Sequence, residues 1–204
     1  MKIGVLAAQG AFAEHIDTLR KLDTEAQPVR LPEHLLSVDG LIIPGGETTT
    51  ISRLLNAYDM MPVIRRLAGE GMPILGTCAG MILLARHVVG DETPVLELMD
   101  ITVRRNAFGR QVDSFEADLE IPALGEEPYP AVFIRAPYIE SADGNVEILA
   151  TLADGTIVAV RQDNLLATAF HPELTNDLRF HRYFLDMVRG SGRQAEEQVT
   201  CSRP

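Results

Sequence analysis

One cysteine lies between two glycines in a segment that is otherwise apolar. The segment ILGTCAGMILLARH covers residues 74–87 and places Cys78 between Gly76 and Gly80. A cysteine that only fills space needs no such neighbours, whereas one at a sharp strand-to-helix corner does, because the backbone crowds together there. At that corner the unpaired N–H groups of the helix start favour the reactive thiolate. The pattern predicts a nucleophile at Cys78, with the N–H of Ala79 directed at a developing oxyanion.

A histidine and a glutamate late in the chain provide the base that such a nucleophile needs. In AFHPEL, residues 169–174, Pro172 disfavours the helical region for His171 and holds it extended. His171 and Glu173 then point to the same side, like a general base and the carboxylate that orients it. An unpaired cysteine usually only packs, and a lone His-x-Glu is usually structural. Together they predict a Cys78–His171–Glu173 triad.

Two further features fit acyl transfer on a small anionic substrate. Gly45-Gly46 lets a backbone N–H approach a ligand closely, which offers a second candidate oxyanion donor. Arg105 and Arg135 lie in strand-like segments. An arginine there commonly forms a surface ion pair, but an anionic substrate gives it reason to face the site.

The remaining histidines carry no comparable signal. His15 and His181 fall in predicted helices, His34 lies in a loop, and His87 follows the cysteine by a few turns. None has a second metal-type ligand at a usable spacing in the sequence, so we predict no metal.

The elements that must position these residues alternate in the first half of the chain. The apolar segments KIGVLAA, DGLIIP and PILG, with a short VRL, predict strands separated by amphipathic helices. We expect a threonine cap on the helix in ETTTISRLLNAY and a helix over GMILLARHVV after the cysteine. Such apolar strands imply a sheet covered on both faces, with ligands beyond the carboxyl ends of its strands. Gln9-Gly10, Gly45-Gly46 and Gly76–Gly80 all lie at such ends.

From about residue 100 the pattern changes to short alternating segments with turns at Ala-Asp-Gly and Asp-Asn. These predict antiparallel hairpins that extend the sheet, before a last amphipathic helix, NDLRFHRYFLDMVRG. We therefore predict a three-layer α/β fold, with a mostly parallel central sheet, helices on both faces and an antiparallel extension in the second half. Residues 1–190 are expected to form a single domain and residues 191–204 a flexible C-terminal tail.

Composition argues against two classes of partner. The 204 residues carry a net charge of -11, from 29 acidic and 18 basic residues. Nucleic acids and anionic membranes bind basic surfaces, and the sequence has no Lys/Arg cluster. No uncharged apolar run approaches the ~18 residues of a membrane span. Cys201 lies in a polar tail, which makes a disulfide with Cys78 improbable. We predict a cytoplasmic protein that binds neither nucleic acid nor membrane.

These motifs resemble those of a known family. The strand–GTCAG–helix with a late His-x-Glu resembles the triad class of glutamine amidotransferases. More narrowly, AAQGAFAEH, GLIIPGGETTT, LGTCAGMILLA, RRNAFGRQVDSFEADL, VFIRAP and AFHPEL are similar to segments of the glutaminase subunit of pyridoxal 5′-phosphate synthase. GTCAG and HPE are shared with neighbouring amidotransferases, whereas RNxFGRQxDSFE and FIRAP are more diagnostic.

The resemblance implies a function without a cofactor. Such a subunit hydrolyses L-glutamine to L-glutamate and ammonia through a thioester and delivers the ammonia to a synthase subunit for vitamin B6 biosynthesis. Cys78 would be the nucleophile, His171 the base and acid, and Glu173 its orienting partner. Gly46 and Ala79 would donate to the oxyanion. The glutamine contacts would be Gly46, Glu47, Thr48, Arg105, Ile134 and Arg135. The family often has serine in place of Thr48, and Gln9 is expected at the contact with the partner.

Three alternatives stay open at this point. The chain could feed another ammonia-using synthase, such as that of histidine biosynthesis, although FGRQ and FIRAP argue against it. It could instead be a cysteine hydrolase of the same fold that acts without a partner. A non-catalytic regulatory subunit is the third alternative, and the intact set of Cys78, His171 and Glu173 argues against it.

Overall fold

The computed structural model describes residues 1–105 and 114–201, and describes residues 192–201 by their backbone alone. The strands of the described residues are Lys2–Leu6 (β1), Glu25–Val29 (β2), Gly40–Ile43 (β3), Ile74–Thr77 (β4), Ala85–Val88 (β5), Met99–Arg104 (β6), Ser114–Leu119 (β7), Tyr129–Ile134 (β8), Tyr138–Ala142 (β9), Glu147–Thr151 (β10), Ile157–Gln162 (β11) and Leu165–Thr168 (β12). The helices are Phe12–Lys21 (α1), Pro32–Leu35 (α2), Thr48–Ala57 (α3), Met60–Gly69 (α4), Ala79–Leu84 (α5) and Arg179–Cys201 (α6), with single 3₁₀ turns at Pro122–Leu124 and Pro172–Leu174.

The first four strands form a parallel half-sheet in the order β2-β1-β3-β4. Strands β3 and β4 are buried at every position and β1 at all but its first, as expected of apolar strands covered on both faces. Strand β2 lies at the edge, where its Pro28 is tolerated. The short strand expected at VRL was therefore placed a few residues late, because a half-exposed edge strand has little apolar pattern.

The second half extends the sheet by antiparallel pairing, in the order β12-β11-β9-β6, with β10 also paired to β11. Two pairings differ from the expected hairpins, because β6 runs parallel to β5 and β12 runs parallel to β4. Strands β7 and β8 form a separate antiparallel pair. The predicted fold class, a mostly parallel sheet with an antiparallel extension, is confirmed.

The parallel pairing of β12 with β4 joins the two halves. Leu165 lies opposite Ile74 and Thr168 opposite Thr77, so both strands end at the same edge of the sheet. The residues that follow the two strands must therefore emerge side by side. This register brings the segment after Thr168 next to the cysteine that follows Thr77.

Helix α5 is shorter than the sequence pattern suggests. It ends at Leu84, and the residues predicted to continue it form strand β5. The carbonyl groups of Leu83 and Leu84 accept hydrogen bonds from the N–H groups of Leu96 and Leu98, at 2.7 and 3.0 Å. Because the segment before β6 supplies hydrogen-bond donors to these carbonyls, they do not require a further helical turn to be paired.

The glycine after the cysteine allows α5 to pack directly on the sheet. A Cβ on Gly80 would overlap the carbonyl oxygen of Ile43 in β3, and one on Gly76 would lie 2.6 Å from the backbone of Gly80. Any larger residue would lift α5 away from the strands. The two glycines that flank Cys78 are thus explained by this close approach.

Helix α6 packs its apolar face, which includes Phe180, Phe184 and Val188, into the core. Its backbone continues to Cys201, past the end near residue 190 that the sequence pattern suggests. The single domain and the flexible tail stay predictions. None of the helices in residues 1–105 and 114–201 combines the length and hydropathy required to cross a membrane.

Candidate active site

Cys78 forms a strained corner between β4 and α5. Its φ of 50° and ψ of -102° lie outside the usual regions for a residue with a side chain. The corner is held because the Cys78 N–H donates to the carbonyl of Thr168 at 2.8 Å, and the Cys78 carbonyl accepts from Ile82 at 3.2 Å. The residue is 8% exposed, and it borders a cavity rather than being sealed in the core. This is the geometry that the sequence predicts for a nucleophile elbow.

His171 is positioned by the aromatic residue that precedes it. Phe170 is buried among the rings of Tyr129, Phe133 and Phe180, with centroids 5.4–5.8 Å away. The His171 N–H donates to the carbonyl of Val132 at 2.8 Å. This anchoring fixes the backbone from which the imidazole projects.

Glu173 meets His171 through a turn and not through an extended strand. His171, at φ -106° and ψ 88°, precedes the 3₁₀ turn Pro172–Leu174. Its Nδ1 lies 2.7 Å from Oε1 of Glu173. The expected contact is thus present, although its local geometry differs from the extended one. The Glu173 side chain is buried behind the imidazole, away from the cavity.

The charges of these groups support one another. Burial opposes the charged imidazole, but hydrogen bonds with Cys78 and Glu173 outweigh it and raise the pKa of His171 to about 10. Burial likewise opposes the Glu173 carboxylate, yet the imidazoles of His15 and His171 keep its pKa below the usual value. At neutral pH His171 is therefore an imidazolium between a buried carboxylate and the sulfur.

A cavity of about 490 Å³ opens above Cys78 and His171. Its lining includes every residue predicted to form the oxyanion hole or to contact glutamine, namely Gly46, Glu47, Thr48, Ala79, Arg105, Ile134 and Arg135. The volume is in the range expected for a small-molecule site.

Gly45 allows two loops to close over the catalytic groups. A Cβ there would lie 2.5 Å from Cε1 of His171 and 3.3 Å from Cβ of Cys78. The Gly45 N–H donates to Oγ1 of Thr77 at 3.1 Å. The loop that follows β1 is attached to the loop that follows β3, because Oε1 of Gln9 accepts a hydrogen bond from the Glu47 N–H at 2.7 Å. The two predicted loop ends, at Gln9-Gly10 and Gly45-Gly46, meet as expected.

Glu47, and not a threonine, caps helix α3. Its carboxylate accepts from the N–H groups of Thr49 and Thr50, at 3.1 and 2.7 Å, and from the Thr50 hydroxyl at 2.6 Å. The hydrogen bond from the Thr50 hydroxyl is the main reason that the pKa of Glu47 falls to about 2. The predicted threonine cap was wrong, because the longer glutamate side chain reaches both free N–H groups of the first turn.

The two predicted arginines lie at the rim of the cavity. Arg105 forms an ion pair with Asp91, and its Nη2 lies 3.7 Å from Oε1 of Glu47. Arg135 is exposed and has a φ of 42°, so its backbone, like that of Cys78, is in a region that residues with a side chain rarely adopt. Sequence reasoning missed Asp91, which lies in a loop between β5 and β6 without a motif of its own.

Three further residues near the triad were also missed. His15, His181 and Thr77 are fully buried; His15 lies 3.3 Å from Glu173, and His181 and Thr77 contact His15. The sequence pattern alone assigns the two histidines no role, because both fall within predicted helices. The available signal was that His15 shares the apolar face of α1 with Ile16 and Leu19, where a polar residue needs a partner.

Comparison with known proteins identifies the family. The sequence profile of the SNO glutamine amidotransferase family matches residues 5–190. The chain belongs to this family. It is 60% identical over 188 residues to "Pyridoxal 5'-phosphate synthase subunit PdxT" of Moorella thermoacetica, which covers 92% of this chain and 100% of that protein. The protein of the same name from Dehalococcoides mccartyi (strain ATCC BAA-2266 / KCTC 15142 / 195) is 61% identical over 93% of this chain and 98% of its own length.

A solved structure gives the same assignment. A protein described as "Crystal structure of glutamine amidotransferase" matches with a TM-score of 0.87 and 49% identity, over 91% of this chain and 98% of its own. The family, the fold and the glutamine amidotransferase class predicted from the sequence are confirmed. Of the diagnostic motif RRNAFGRQVDSFEADL, residues 106–113 lie outside the described residues. Within the described residues, no group of three or more His, Cys, Asp or Glu side chains is arranged to hold a metal ion.

Proposed function

We propose that this chain is the glutaminase subunit of a pyridoxal 5′-phosphate synthase, which hydrolyses L-glutamine to L-glutamate and ammonia. The names of its relatives support this function over more than nine-tenths of the chain. The single observation that supports the residue roles is the His171 imidazole, which touches Glu173 on one side and Cys78 on the other. Cys78 is the nucleophile, His171 the acid and base, and Glu173 the carboxylate that orients it.

In the first half-reaction, the Cys78 thiolate attacks the side-chain carboxamide carbon of glutamine and forms a C–S bond. The N–H groups of Gly46 and Ala79 stabilise the negative charge that develops on the oxygen. The C–N bond then breaks, and the departing nitrogen takes the proton of the His171 imidazolium and leaves as ammonia. A γ-glutamyl thioester and a neutral imidazole remain.

In the second half-reaction, the neutral His171 takes a proton from a water molecule, whose oxygen attacks the thioester carbon. The C–S bond breaks and restores the thiolate beside the imidazolium. Glutamate leaves as the acid, which loses its proton to solvent. Glu173 keeps its charge throughout and holds the imidazole in one orientation.

The glutamine is held at the rim of the cavity. Arg105 and Arg135 bind its α-carboxylate, because both residues line the cavity that Cys78 borders. Glu47, Thr48 and Ile134 complete the pocket.

Ammonia must be passed to a partner. In bulk water at neutral pH it would be protonated and lose its nucleophilicity, so it needs a sheltered path. The acceptor is the synthase subunit, which forms a hetero-oligomer with this chain. The contact lies near Gln9, whose side chain is attached to the loop that carries Gly46. The compartment is the cytoplasm.

The test is ammonia release from glutamine, measured with and without the pyridoxal 5′-phosphate synthase subunit. We expect release that rises when the synthase is added and that disappears in Cys78→Ala, whereas Cys201→Ala at the other cysteine keeps it. A glutamine-analogue electrophile should label Cys78. Release that survives Cys78→Ala would remove the proposed nucleophile.

The same assay separates the alternatives. Stimulation by the histidine-biosynthesis synthase instead of the pyridoxal 5′-phosphate synthase would assign another partner. Hydrolysis of peptides or esters with no action on glutamine would favour a cysteine hydrolase that acts alone.

A further inference from the structure

Two buried histidines lie behind the triad, and the mechanism above uses neither. His15 in α1 and His181 in α6 are both 0% exposed. Nε2 of His15 lies 3.3 Å from Oε2 of Glu173 and 3.3 Å from Oγ1 of Thr77, and its Nδ1 lies 2.9 Å from Nε2 of His181. A polar chain thus runs from the first helix to the last through the back of the active site.

The protons of this row of polar side chains can be assigned by starting from Glu173 at one end and from His181 at the other. An ionised carboxylate only accepts, so the N–H of His15 must be on Nε2, facing Glu173. Nδ1 of His15 is then a bare acceptor and receives the Nε2–H of His181. Nδ1 of His181 is left without a proton, which agrees with its having no hydrogen-bond partner among the described residues.

The opposite arrangement leaves more groups unsatisfied. A bare Nε2 on His15 could accept from the Thr77 hydroxyl, but it would also face, at 3.3 Å, Oε2 of Glu173, which makes no hydrogen bond within the described part of the chain. The proton on Nδ1 of His181 would also be buried without an acceptor. Each such orphan costs more than a satisfied pair, so the first arrangement is preferred.

Both rings are neutral. Burial lowers the pKa of His15, and this outweighs the opposing effect of Glu173; His171 lowers it further and Glu14 raises it. Burial, followed by His15, lowers the pKa of His181 to about 3. His15 therefore offers Glu173 a neutral N–H and not a second positive charge, and His171 stays the cation that the carboxylate pairs with.

We propose that His15 is a positioning residue: its Nε2–H faces Oε2 of Glu173 at 3.3 Å and attracts that oxygen, so that Oε1 stays on Nδ1 of His171. His181 fixes the tautomer of His15 by donating to its Nδ1. Neither residue touches the substrate cavity. The proposal rests on the proposed triad, because its effect on turnover passes through Glu173.

The activity test compares two substitutions of His15. His15→Met removes the N–H and keeps the bulk, whereas His15→Gln keeps an amide N–H close to the position of Nε2. With the synthase present, we expect kcat to fall roughly ten- to hundredfold in His15→Met, KM to stay within about twofold, and His15→Gln to recover most of the loss. His181→Met should lose less, and His87→Gln, at an exposed histidine of β5, should change nothing.

A second measurement does not depend on glutamine. Nitrogen-15 NMR of histidine-labelled protein should find both His15 and His181 protonated on Nε2. The pKa of His171 should fall in His15→Met, because Glu173 is no longer held, and should be restored in His15→Gln. The charged or titratable side chains that act on His15 and Glu173 are His171, His181, Glu14 and Tyr129, and the two histidines among them are followed in the same titration.

The outcomes are distinct. A folded His15→Met variant with wild-type kcat and an unchanged His171 titration overturns the proposal, as does a proton on Nδ1 of His15 in the wild type. If the variant does not fold, the proposal is still tested by which ring nitrogen of His15 carries the proton in the wild type. Absence of ammonia release by the wild type with its synthase would instead contradict the proposed function and leave the NMR result to judge His15.

Discussion

The carboxylate of Asp91 binds the guanidinium of Arg105 at the edge of the active-site cavity. Asp91 is itself fixed, because its Oδ1 accepts from the N–H and the hydroxyl of Thr93 at 2.8 and 2.6 Å. Arginine has five N–H donors, so Arg105 can keep this pair and still offer donors to a substrate carboxylate. Asp91 thus sets the direction of Arg105 before glutamine arrives.

We therefore expect Asp91→Asn to raise KM for glutamine by roughly three- to tenfold with little change in kcat, because it weakens binding without touching the reacting atoms. Steady-state ammonia release measures both constants. Asp186→Asn, which breaks the exposed pair with Arg189 on α6, is the matched control and should leave KM unchanged. An unaltered KM in Asp91→Asn would mean that Arg105 needs no such support.

Gly45→Ala should disable the site without unfolding the chain. The new Cβ would lie 2.5 Å from Cε1 of His171, so the imidazole must move away from the sulfur. We expect kcat to fall by at least about tenfold, since a small misplacement of a catalytic group has a large effect on rate. Gly69→Ala provides the comparison, because nothing lies within 4 Å of its Cβ at the end of α4.

That control should keep full activity and raise the free energy of unfolding by roughly 0.5–1 kcal/mol, as alanine is favoured over glycine in a helix. Urea denaturation and ammonia release on both variants separate the two effects. Equal activity of Gly45→Ala and Gly69→Ala would contradict the tight packing at His171.

The elevated pKa of His171 predicts how stability depends on pH. Its pKa of about 10 in the folded protein lies above the ordinary histidine value of 6.5, so protonation stabilises the folded state. The contribution is complete below about pH 6.5 and is lost as the pH rises through about 10. Urea midpoints between pH 7 and 10 should fall more steeply in the wild type than in His171→Gln. Parallel pH profiles for the two proteins would show that the imidazole gains no protonation on folding.

The first half of the fold could be predicted from local pattern. Strands β1, β3 and β4 are short apolar runs that end at glycine-containing turns, and their periodicity needs no knowledge of the partner strand. The corner at Cys78 could be recognised because its glycines reflect a local backbone requirement. Pairing was harder. Leu165–Thr168 reads as a strand, but nothing in its four residues indicates that it lies beside Ile74–Thr77.

The parts of the site that escaped prediction depend on neighbours distant in sequence. His15 and His181 are 166 positions apart, and each alone is an ordinary histidine in an amphipathic helix. Asp91 gains its role only from Arg105. The cap of α3 was misassigned for a different reason, because several polar residues compete there and side-chain reach decides among them.

The place of β12 in the sheet has a consequence for biosynthesis on the ribosome. This strand is among the last to be translated, yet it occupies an interior position between β4 and β11. Until it emerges, β4 keeps one open edge, and the thiol at its end has neither imidazole nor carboxylate beside it. A nascent chain therefore cannot hydrolyse glutamine. The enzyme becomes active only when β12, from the last third of the chain, has been inserted into the interior of a sheet whose first strands come from the first third of the chain.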